Sequence, residues 1–295
     1  MLAAMSTAED CKLMDGREAA RRLLAAASDK VRRILAATGV VPSLATVLVG
    51  DDPASVTYTR MKHKRCENVG VRPVLVELPA TVGTEEVVGQ VERLGADHSV
   101  HGILVQHPVP RPIDRRAVFE AIPLAKDVDG VSSAMLGRVI LGMPAFIPCT
   151  PAGIMRLLQE YRVVLDGAHA VVIGRSPILG RPMASMMINA HATVTLCHSR
   201  TRCLPDIVRQ ADIVIAAAGR PRFVQADWVK PGVVVVDAGY NPGSVGDVDF
   251  EAVRERASLI TPVPGGVGPM TIAVLIDHTA DAAARQLGVA LSVSA

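Results

Sequence analysis

The chain has 295 residues, of which 49% are hydrophobic and 20% charged, a globular balance that favours two domains over one. With 31 Lys and Arg against 29 Asp and Glu, the net charge of +2 gives no electrostatic reason to expect nucleic acid or a membrane surface as a partner. The five cysteines are scattered without a CxxC pair, which argues against a disulfide framework or a zinc site and fits a reducing cytoplasm.

The start of the chain does not resemble a targeting segment. Met1–Lys12 carries Glu9 and Asp10 and lacks both a basic start and a long apolar core, so no secretory signal is expected. Met5 is an alternative start. No apolar run reaches the roughly 20 residues needed to span a bilayer, and we expect a cytoplasmic protein.

The first half of the chain alternates helix-like and strand-like segments. This rhythm predicts a parallel sheet covered on both faces, in which ligands bind outside the carboxyl ends of the strands. Gly50-Asp51-Asp52, Gln106 and the turn 126–130 lie at such ends. The predicted elements are helix 16–37, strand 43–50, helix 54–69, strand 71–78, helix 85–94 and strand 101–106.

The second half begins at a crossing near 144–151 and repeats the strand and helix pattern. We predict one domain over 1–147, completed by the C-terminal segment 271–295, and a second over 148–270. The last helix, 271–287, is expected to pack on the first domain. The other predicted elements are helix 152–160, strand 168–173, helix 183–189, and strands 193–197, 213–216 and 233–236.

A glycine-rich loop, Gly174 to Gly180, follows a buried strand and precedes a helix. Glycines let the backbone approach phosphate oxygens, and a helix N-terminus favours their negative charge, so the loop is a candidate dinucleotide site. Gly174, Arg175, Ser176 and Gly180 are its candidate cofactor-binding residues. The spacing is not G-x-G-x-x-G, and an ordinary tight turn remains the alternative.

The end of the next strand distinguishes two cofactors. An acid there would bond the ribose hydroxyl of NAD, but this chain has Ser199 and Arg200. A hydroxyl and a guanidinium suit a phosphate, which favours NADP over NAD. A solvated turn residue is the plain alternative for Arg200.

Tyr58 and Lys62 stand four residues apart on a predicted helix, so both side chains project from one face. Such a pair can hold a flat ring and move a proton beside it. Surface helix residues are the alternative for the pair alone. Short-chain dehydrogenases also use Tyr-x-x-x-Lys, but there the pair follows the cofactor loop, whereas here it precedes that loop.

Six motifs, running in order from about residue 12 to 287, closely resemble bifunctional methylenetetrahydrofolate dehydrogenase/methenyltetrahydrofolate cyclohydrolase. The resemblance implies an α/β fold with two domains flanking a cleft, a parallel-sheet domain and a Rossmann-type NADP-binding domain. It also implies a homodimer in one-carbon metabolism and purine biosynthesis. The motifs are Tyr58-x-x-x-Lys62, 102–110, 126–130, 148–151, Gly174-Arg175-Ser176 with Gly180-Arg181-Pro182, and 261–271.

The implied reactions are NADP-linked oxidation of 5,10-methylenetetrahydrofolate and hydrolysis of the methenyl product to 10-formyltetrahydrofolate. Lys62 is expected to exchange the proton in hydrolysis, because burial beside other cations lowers a lysine pKa towards neutrality. Gln106 resembles the residue that orients this lysine. Tyr58 resembles the residue that stacks on the p-aminobenzoate ring of a substrate that carries one glutamate or a polyglutamate tail.

Other site residues follow from the same resemblance. A carboxylate can accept both adjacent N–H groups of a pterin edge, and Asp129 matches the family's pterin ligand, although Asp127 competes on composition. Gly268 and Pro269 are expected to form a rigid wall at the domain interface. The backbone of Tyr240 is expected to contact the cofactor. No metal is expected, because no carboxylate or cysteine is spaced to complete a site with His98, His101 or His107.

Two positions depart from the family pattern. His107 replaces an apolar residue, where it could add a positive charge near Lys62 or crowd the pocket. Met135 stands where many members carry Asn, which puts the hydrogen bonding of the loop after Gly130 in doubt. A dehydrogenase-only or cyclohydrolase-weak member is therefore the alternative to a bifunctional enzyme.

Overall fold

The computed structural model describes residues 11–291, and the candidate start Met5 and residues 292–295 of the predicted C-terminal segment lie outside it. The described chain divides into two compact units. The three-stranded unit comprises Glu18–Gly153 and the chain from Met270 onward. The six-stranded unit comprises the chain up to Arg17 and Ile154–Pro269.

Strands and helices alternate along most of the described chain, as the sequence predicts. The strands are β1 Lys12–Leu13, β2 Ser43–Val49, β3 Arg72–Leu78, β4 Gly102–Val105, β5 His169–Ile173, β6 Thr193–Cys197, β7 Ile213–Ala216, β8 Val233–Asp237 and β9 Ala257–Ile260. The helices are α1 Gly16–Thr38, α2 Pro53–Val69, α3 Thr84–Ala96, α4 Arg115–Glu120, α5 Ser133–Ile140, α6 Cys149–Glu160, α7 Gly180–Asn189, α8 Leu204–Val208, α9 Phe250–Arg254 and α10 Val267–Gln286.

The three-stranded unit contains a parallel sheet with the order β3-β2-β4. All seven residues of β2 are buried, as expected for the central strand of a covered sheet. Its core joins residues of α1, α2, α5 and α10 to the sheet, so the last helix packs on this unit as predicted. The core includes Val31, Leu44, Cys66, Leu104, Met135, Val274 and Ile276.

The six-stranded unit contains a parallel sheet with the order β1-β9-β8-β7-β5-β6. From β5 the chain moves outward to β6 and then returns to β7 on the other side of β5. The strand order therefore reverses between β5 and β7, where doubly wound sheets bind their ligands at the carboxyl ends. Ile173 and Ala216 are paired residues at those ends.

The N-terminal segment differs from the predicted domain. The sequence predicts one domain over 1–147, but Lys12 and Leu13 of β1 pair with Leu259 and Ile260 of β9 in the six-stranded unit. A strand of two residues is too short to show a hydrophobic period. Within the described chain, each helix is too short or too polar to cross a lipid bilayer.

Three helices begin three or four residues earlier than predicted, and a proline explains each case. Pro151, Pro182 and Pro269 look like residues that precede a helix, but each is the third residue of its helix, in α6, α7 and α10. The first backbone N–H groups of a helix have no intrahelical acceptor, so a proline costs little there. Gly268 and Pro269 therefore lie in the first turn of α10 rather than in a loop.

Candidate functional site

Lys62 and Gln106 form a buried hydrogen-bonded pair in the three-stranded unit. Helix α2, which carries Lys62, begins after Asp52, whose carboxylate accepts the Ser55 N–H at 2.8 Å. Lys62 Nζ donates to Gln106 Oε1 at 2.9 Å, and both side chains are only 6% exposed. Gln106 Nε2 donates to the carbonyl of His107 at 2.6 Å. That second bond orients the amide, so that its oxygen faces the lysine.

The Lys62 amine also lies 4.7 Å from the centre of the Tyr58 ring. The two side chains therefore share one helix face, as their spacing predicts. Burial lowers the pKa of Lys62, and the negative charge of Asp129 opposes that shift without cancelling it. A lysine with a lowered pKa can both accept and donate a proton near neutrality.

The two aspartates of the 126–130 turn have different surroundings. Asp127 is fully buried, and its two oxygens accept the N–H groups of Val131 and Ser132, each at 3.0 Å. Its carboxylate therefore holds the turn. Asp129 remains partly exposed and interacts electrostatically with Lys62, while burial raises its pKa. Of the two, Asp129 is the one whose carboxylate is available to a ligand.

Cys149, in the 148–151 motif, is a buried neighbour of Asp129. Its thiol donates to the carbonyl of Val128 at 3.4 Å and also bonds Asp129. Burial, and then the Asp129 charge, raise the pKa of Cys149 well above its usual value. The thiol therefore stays protonated at neutral pH and supports the aspartate rather than attacking a substrate.

His107 does not add the positive charge considered from the sequence. Burial and the nearby charges of Lys62 and Arg115 lower the pKa of His107 to about 4, so the ring is neutral at physiological pH. The ring stands edge-on to Phe119, with centroids 5.0 Å apart. Neither ring nitrogen has a hydrogen-bond partner within the described chain. The His107 ring is therefore buried in its neutral form, and its two nitrogen atoms are left without hydrogen bonds to the described residues.

We expect His107→Leu to stabilise the protein by about 1–3 kcal/mol at neutral pH, because it removes buried polar atoms that lack partners. The advantage should grow as the pH falls from about 6.5 to about 4, since the unfolded histidine gains a proton that the folded one resists. Calorimetric unfolding of both proteins across this range measures the effect. His98→Leu, at an exposed position, is the matched control. It should change neither the stability at neutral pH nor the dependence of stability on pH. Equal stability of the His107 variant and the natural protein would contradict this account.

Met135 does not disrupt the loop after Gly130. Its side chain is 4% exposed and belongs to the core of the three-stranded unit. Its backbone N–H donates to the Ser132 hydroxyl, which caps α5. Ser132 is in turn bonded to Asp127. The loop is thus held by Asp127 and Ser132, without an asparagine at position 135.

The candidate cofactor loop follows β5 at the point where the strand order of the six-stranded sheet reverses. A Cβ atom at Gly180 would collide with the carbonyl of Gly174, and one at Gly174 would collide with the carbonyl of Ala217. Both positions therefore require glycine for the backbone to fold this tightly. Helix α7 starts at Gly180, so its N-terminus faces the loop. Arg175 and Ser176 are exposed on it.

The other candidate cofactor residues also follow strands of this sheet. Ser199 and Arg200 are exposed just after β6. Tyr240 follows β8 and is 71% exposed. Its predicted backbone contact with a cofactor stays a prediction, as does substrate binding by Gly268 and Pro269.

Two buried aspartates behind these loops were missed from the sequence. Asp237 ends β8, and Asp247 lies in the segment that follows. Burial raises the pKa of Asp237 to about 6, although three backbone N–H groups bond its carboxylate. In the sequence they stand out only as acids close to a glycine, Gly239 for Asp237 and Gly246 for Asp247. No three potential metal ligands lie together in the part of the chain that the structure describes.

Comparison with known proteins identifies the family to which the two units belong. Residues 14–129 match the family described as tetrahydrofolate dehydrogenase/cyclohydrolase, catalytic domain, and residues 148–287 match its NAD(P)-binding domain. The chain belongs to the tetrahydrofolate dehydrogenase/cyclohydrolase family. The resemblance inferred from the six motifs is thereby confirmed, together with the prediction of an α/β enzyme.

Individual members of the tetrahydrofolate dehydrogenase/cyclohydrolase family match nearly the whole chain. Bifunctional protein FolD 1 of Streptomyces avermitilis is 58% identical over 285 residues, covering 97% of this chain and 99% of its own length. The bifunctional FolD structure from Campylobacter jejuni has a TM-score of 0.90 and 44% identity, covering 93% of this chain and 99% of its own. The Trypanosoma brucei FolD structure, complexed with NADP cofactor and inhibitor, has a TM-score of 0.91 and 37% identity, covering 94% and 98%.

Proposed function

We propose that this protein oxidises 5,10-methylenetetrahydrofolate with NADP and hydrolyses the methenyl product to 10-formyltetrahydrofolate. The observation that carries the proposal is the buried Lys62–Gln106 pair beside Asp129, within a member of this family. The neutral ring of His107 adds no charge beside Lys62, and Met135 belongs to the core, so neither residue disturbs the site in that way. Both activities are therefore expected.

The oxidation can proceed without an acid or base group of the protein. Hydride leaves a carbon between two nitrogens, and the resulting cation is delocalised over both, so no general base is needed. Bound NADP supplies a nicotinamide ring as the hydride acceptor. The protein contributes by positioning the reacting carbon.

The residues after β5 and β6 fit NADP. The N-terminus of α7 and the tight Gly174–Gly180 backbone suit the phosphates. Ser199 and Arg200 suit the 2′-phosphate, with Arg175 as a second cation. The match of residues 148–287 to an NAD(P)-binding domain supports the cofactor, as does the NADP complex of the Trypanosoma brucei relative.

The hydrolysis requires a proton carrier. Water adds to the cationic carbon and loses one proton, which leaves a hydroxyl group on that carbon. The bond from the carbon to a ring nitrogen then breaks as the hydroxyl loses its proton to form the formyl C=O and the nitrogen gains a proton, so that one proton is released overall. Lys62 can accept the first proton in its neutral form and return one as the ammonium, because burial lowers its pKa. Gln106 keeps the amine oriented through its 2.9 Å hydrogen bond.

Substrate recognition is assigned to Asp129 and Tyr58 of the three-stranded unit and to Gly268 and Pro269 of the six-stranded unit. The Asp129 carboxylate can accept two adjacent N–H groups of the pterin in bidentate geometry. The partly exposed Tyr58 ring can stack on the p-aminobenzoate ring. We retain Gly268 and Pro269 as substrate-binding residues on the family resemblance, and we include substrates with polyglutamate tails.

A spectrophotometric assay tests the proposal. Methylenetetrahydrofolate is offered with NADP or NAD, and reduced cofactor and methenyl product are followed separately. Hydrolysis is then measured from the methenyl compound without cofactor. We expect oxidation with NADP and cofactor-independent hydrolysis, and the absence of either reaction would overturn the corresponding half of the proposal.

We also propose a homodimer in the cytoplasm, whose product supplies one-carbon units to purine biosynthesis. Strand β3 lies at an edge of its sheet, and Leu75 on it is 43% exposed, which leaves apolar surface for a second copy. All five cysteines are free thiols, as a reducing compartment favours. We expect light scattering to give twice the mass of one chain, and a monomer at micromolar concentration would contradict the dimer.

A further inference from the structure

Asp247 is a fully buried carboxylate that contacts and hydrogen-bonds two loops of the six-stranded unit. One oxygen accepts the Gly219 N–H at 2.7 Å, and the other accepts the Arg220 N–H at 3.0 Å. The second oxygen also accepts Asn241 Nδ2 at 2.9 Å. Gly219 has a φ of +65°, a conformation that favours glycine, which lets two successive N–H groups point at one carboxylate.

The loop after β8 rests directly on this carboxylate. A Cβ atom at Gly239 would collide with Asp247, so the backbone beside Tyr240 is in close contact with it. The Asp247 N–H donates to Asp237 Oδ1 at 2.9 Å, and the same oxygen accepts the Gly239 N–H at 2.9 Å. Asp247 therefore fixes the loop after β7 and the loop after β8 to each other.

These two loops lie where half of a bound dinucleotide is expected. The phosphates are assigned to the Gly174 loop after β5, and the 2′-phosphate to Arg200 after β6. The other half of the molecule must then extend to the opposite side of β5, over the carboxyl ends of β7 and β8. The tight approach of Gly174 to the Ala217 carbonyl makes the β7 loop continuous with the phosphate loop.

We propose that Asp247 is a positioning residue that shapes the binding surface for the nicotinamide half of NADP. This inference rests on the proposed function, because it presupposes that NADP binds the six-stranded unit. The side chain is suited to the task, since its two carboxyl oxygens accept the N–H groups of Gly219, Arg220 and Asn241. It acts through the loops 217–220 and 238–241, without touching the cofactor.

Asp247→Asn tests the proposal in the full-length enzyme. The amide places an N–H₂ group against at least one backbone N–H donor, which displaces a loop. We expect the KM for NADP to rise at least about tenfold, with an equal rise for NAD, because the nicotinamide half is common to both. Inhibition by 2′,5′-ADP, which occupies only the adenosine half, should be unchanged. Hydrolysis of the methenyl compound needs no cofactor and should also be unchanged.

The controls separate positioning from loss of folding. Asp249→Asn makes the same chemical change two residues away, where the side chain makes no capping bond, and should leave all constants unchanged. Trp228 is the single tryptophan of the chain and, partly buried, packs against the core of the six-stranded unit, so its emission reports whether that unit is folded. A native emission spectrum with both KM values within about twofold of the natural enzyme would overturn the proposal.

A second variant covers the case in which Asp247→Asn does not fold. Gly219→Ala leaves the buried carboxylate in place and strains the loop it holds, since an added Cβ meets no atom but the φ is unfavourable. We expect the same rise in both KM values and unchanged 2′,5′-ADP inhibition. Unchanged KM values in this variant would also overturn the proposal. A natural enzyme without NADP-linked oxidation would instead refute the proposed function itself.

Discussion

Lys62→Met is expected to abolish methenyl hydrolysis while leaving measurable NADP-linked oxidation. General acid–base catalysis by a positioned side chain contributes about a hundredfold to ten-thousandfold, and methionine cannot carry a proton. The oxidation needs no base, so it should lose only what the altered substrate surface costs. Separate initial rates for the two reactions, measured on one preparation, check the prediction.

Lys64→Met is the matched control for this experiment. Lys64 is exposed on the same helix, so its replacement makes the same chemical change without reaching the buried Gln106. We expect both activities of this control to equal those of the natural enzyme. Equal loss of hydrolysis in both variants would mean that α2 tolerates neither change, and the role of Lys62 would be refuted.

Arg200→Asp is expected to shift the cofactor preference from NADP towards NAD by about a hundredfold, or roughly 2.7 kcal/mol. The change removes a charge-assisted hydrogen bond to the 2′-phosphate and adds repulsion. An acid at the end of this strand can also accept a bond from the ribose hydroxyl of NAD. The ratio of kcat/KM for the two cofactors measures the shift.

Salt and a distant substitution provide the controls for Arg200. Because the side chain is exposed, the preference of the natural enzyme for NADP should weaken as ionic strength rises. Arg162→Asp changes the net charge equally but lies in the loop before β5, away from its carboxyl end. The Arg162→Asp variant should keep the natural preference for NADP over NAD. If Arg200→Asp left the kcat/KM ratio of the two cofactors unchanged, the assignment of the 2′-phosphate to Arg200 would be wrong.

Much of the fold could be predicted because long, periodic segments carry a strong signal. Strands β6 and β7 have the predicted bounds, and β2 differs by one residue. Prediction was weakest where a residue has two local meanings. Pro151, Pro182 and Pro269 each fit a loop or a first helical turn equally well in sequence. Only the packing of the following helix decides between them.

The candidate site was only partly accessible from sequence for a similar reason. Periodicity and motif order lead to Lys62 and Gln106, since both lie on regular elements. Composition alone could not separate Asp127 from Asp129, because the difference lies in which carboxylate already accepts backbone N–H groups. Asp247 was missed because two of its partners are backbone N–H groups of a distant loop, and backbone groups leave no trace in side-chain patterns.

The groups assigned to hydrolysis all belong to the three-stranded unit, whereas those assigned to nucleotide binding belong to the six-stranded unit. A lineage could therefore lose its redox capacity through one substitution at Gly174 and still open the methenyl ring. The reverse loss, at Lys62, would leave a dehydrogenase that releases the methenyl cation without hydrolysing it. Natural selection can thus adjust the two halves of the metabolic step separately within one gene.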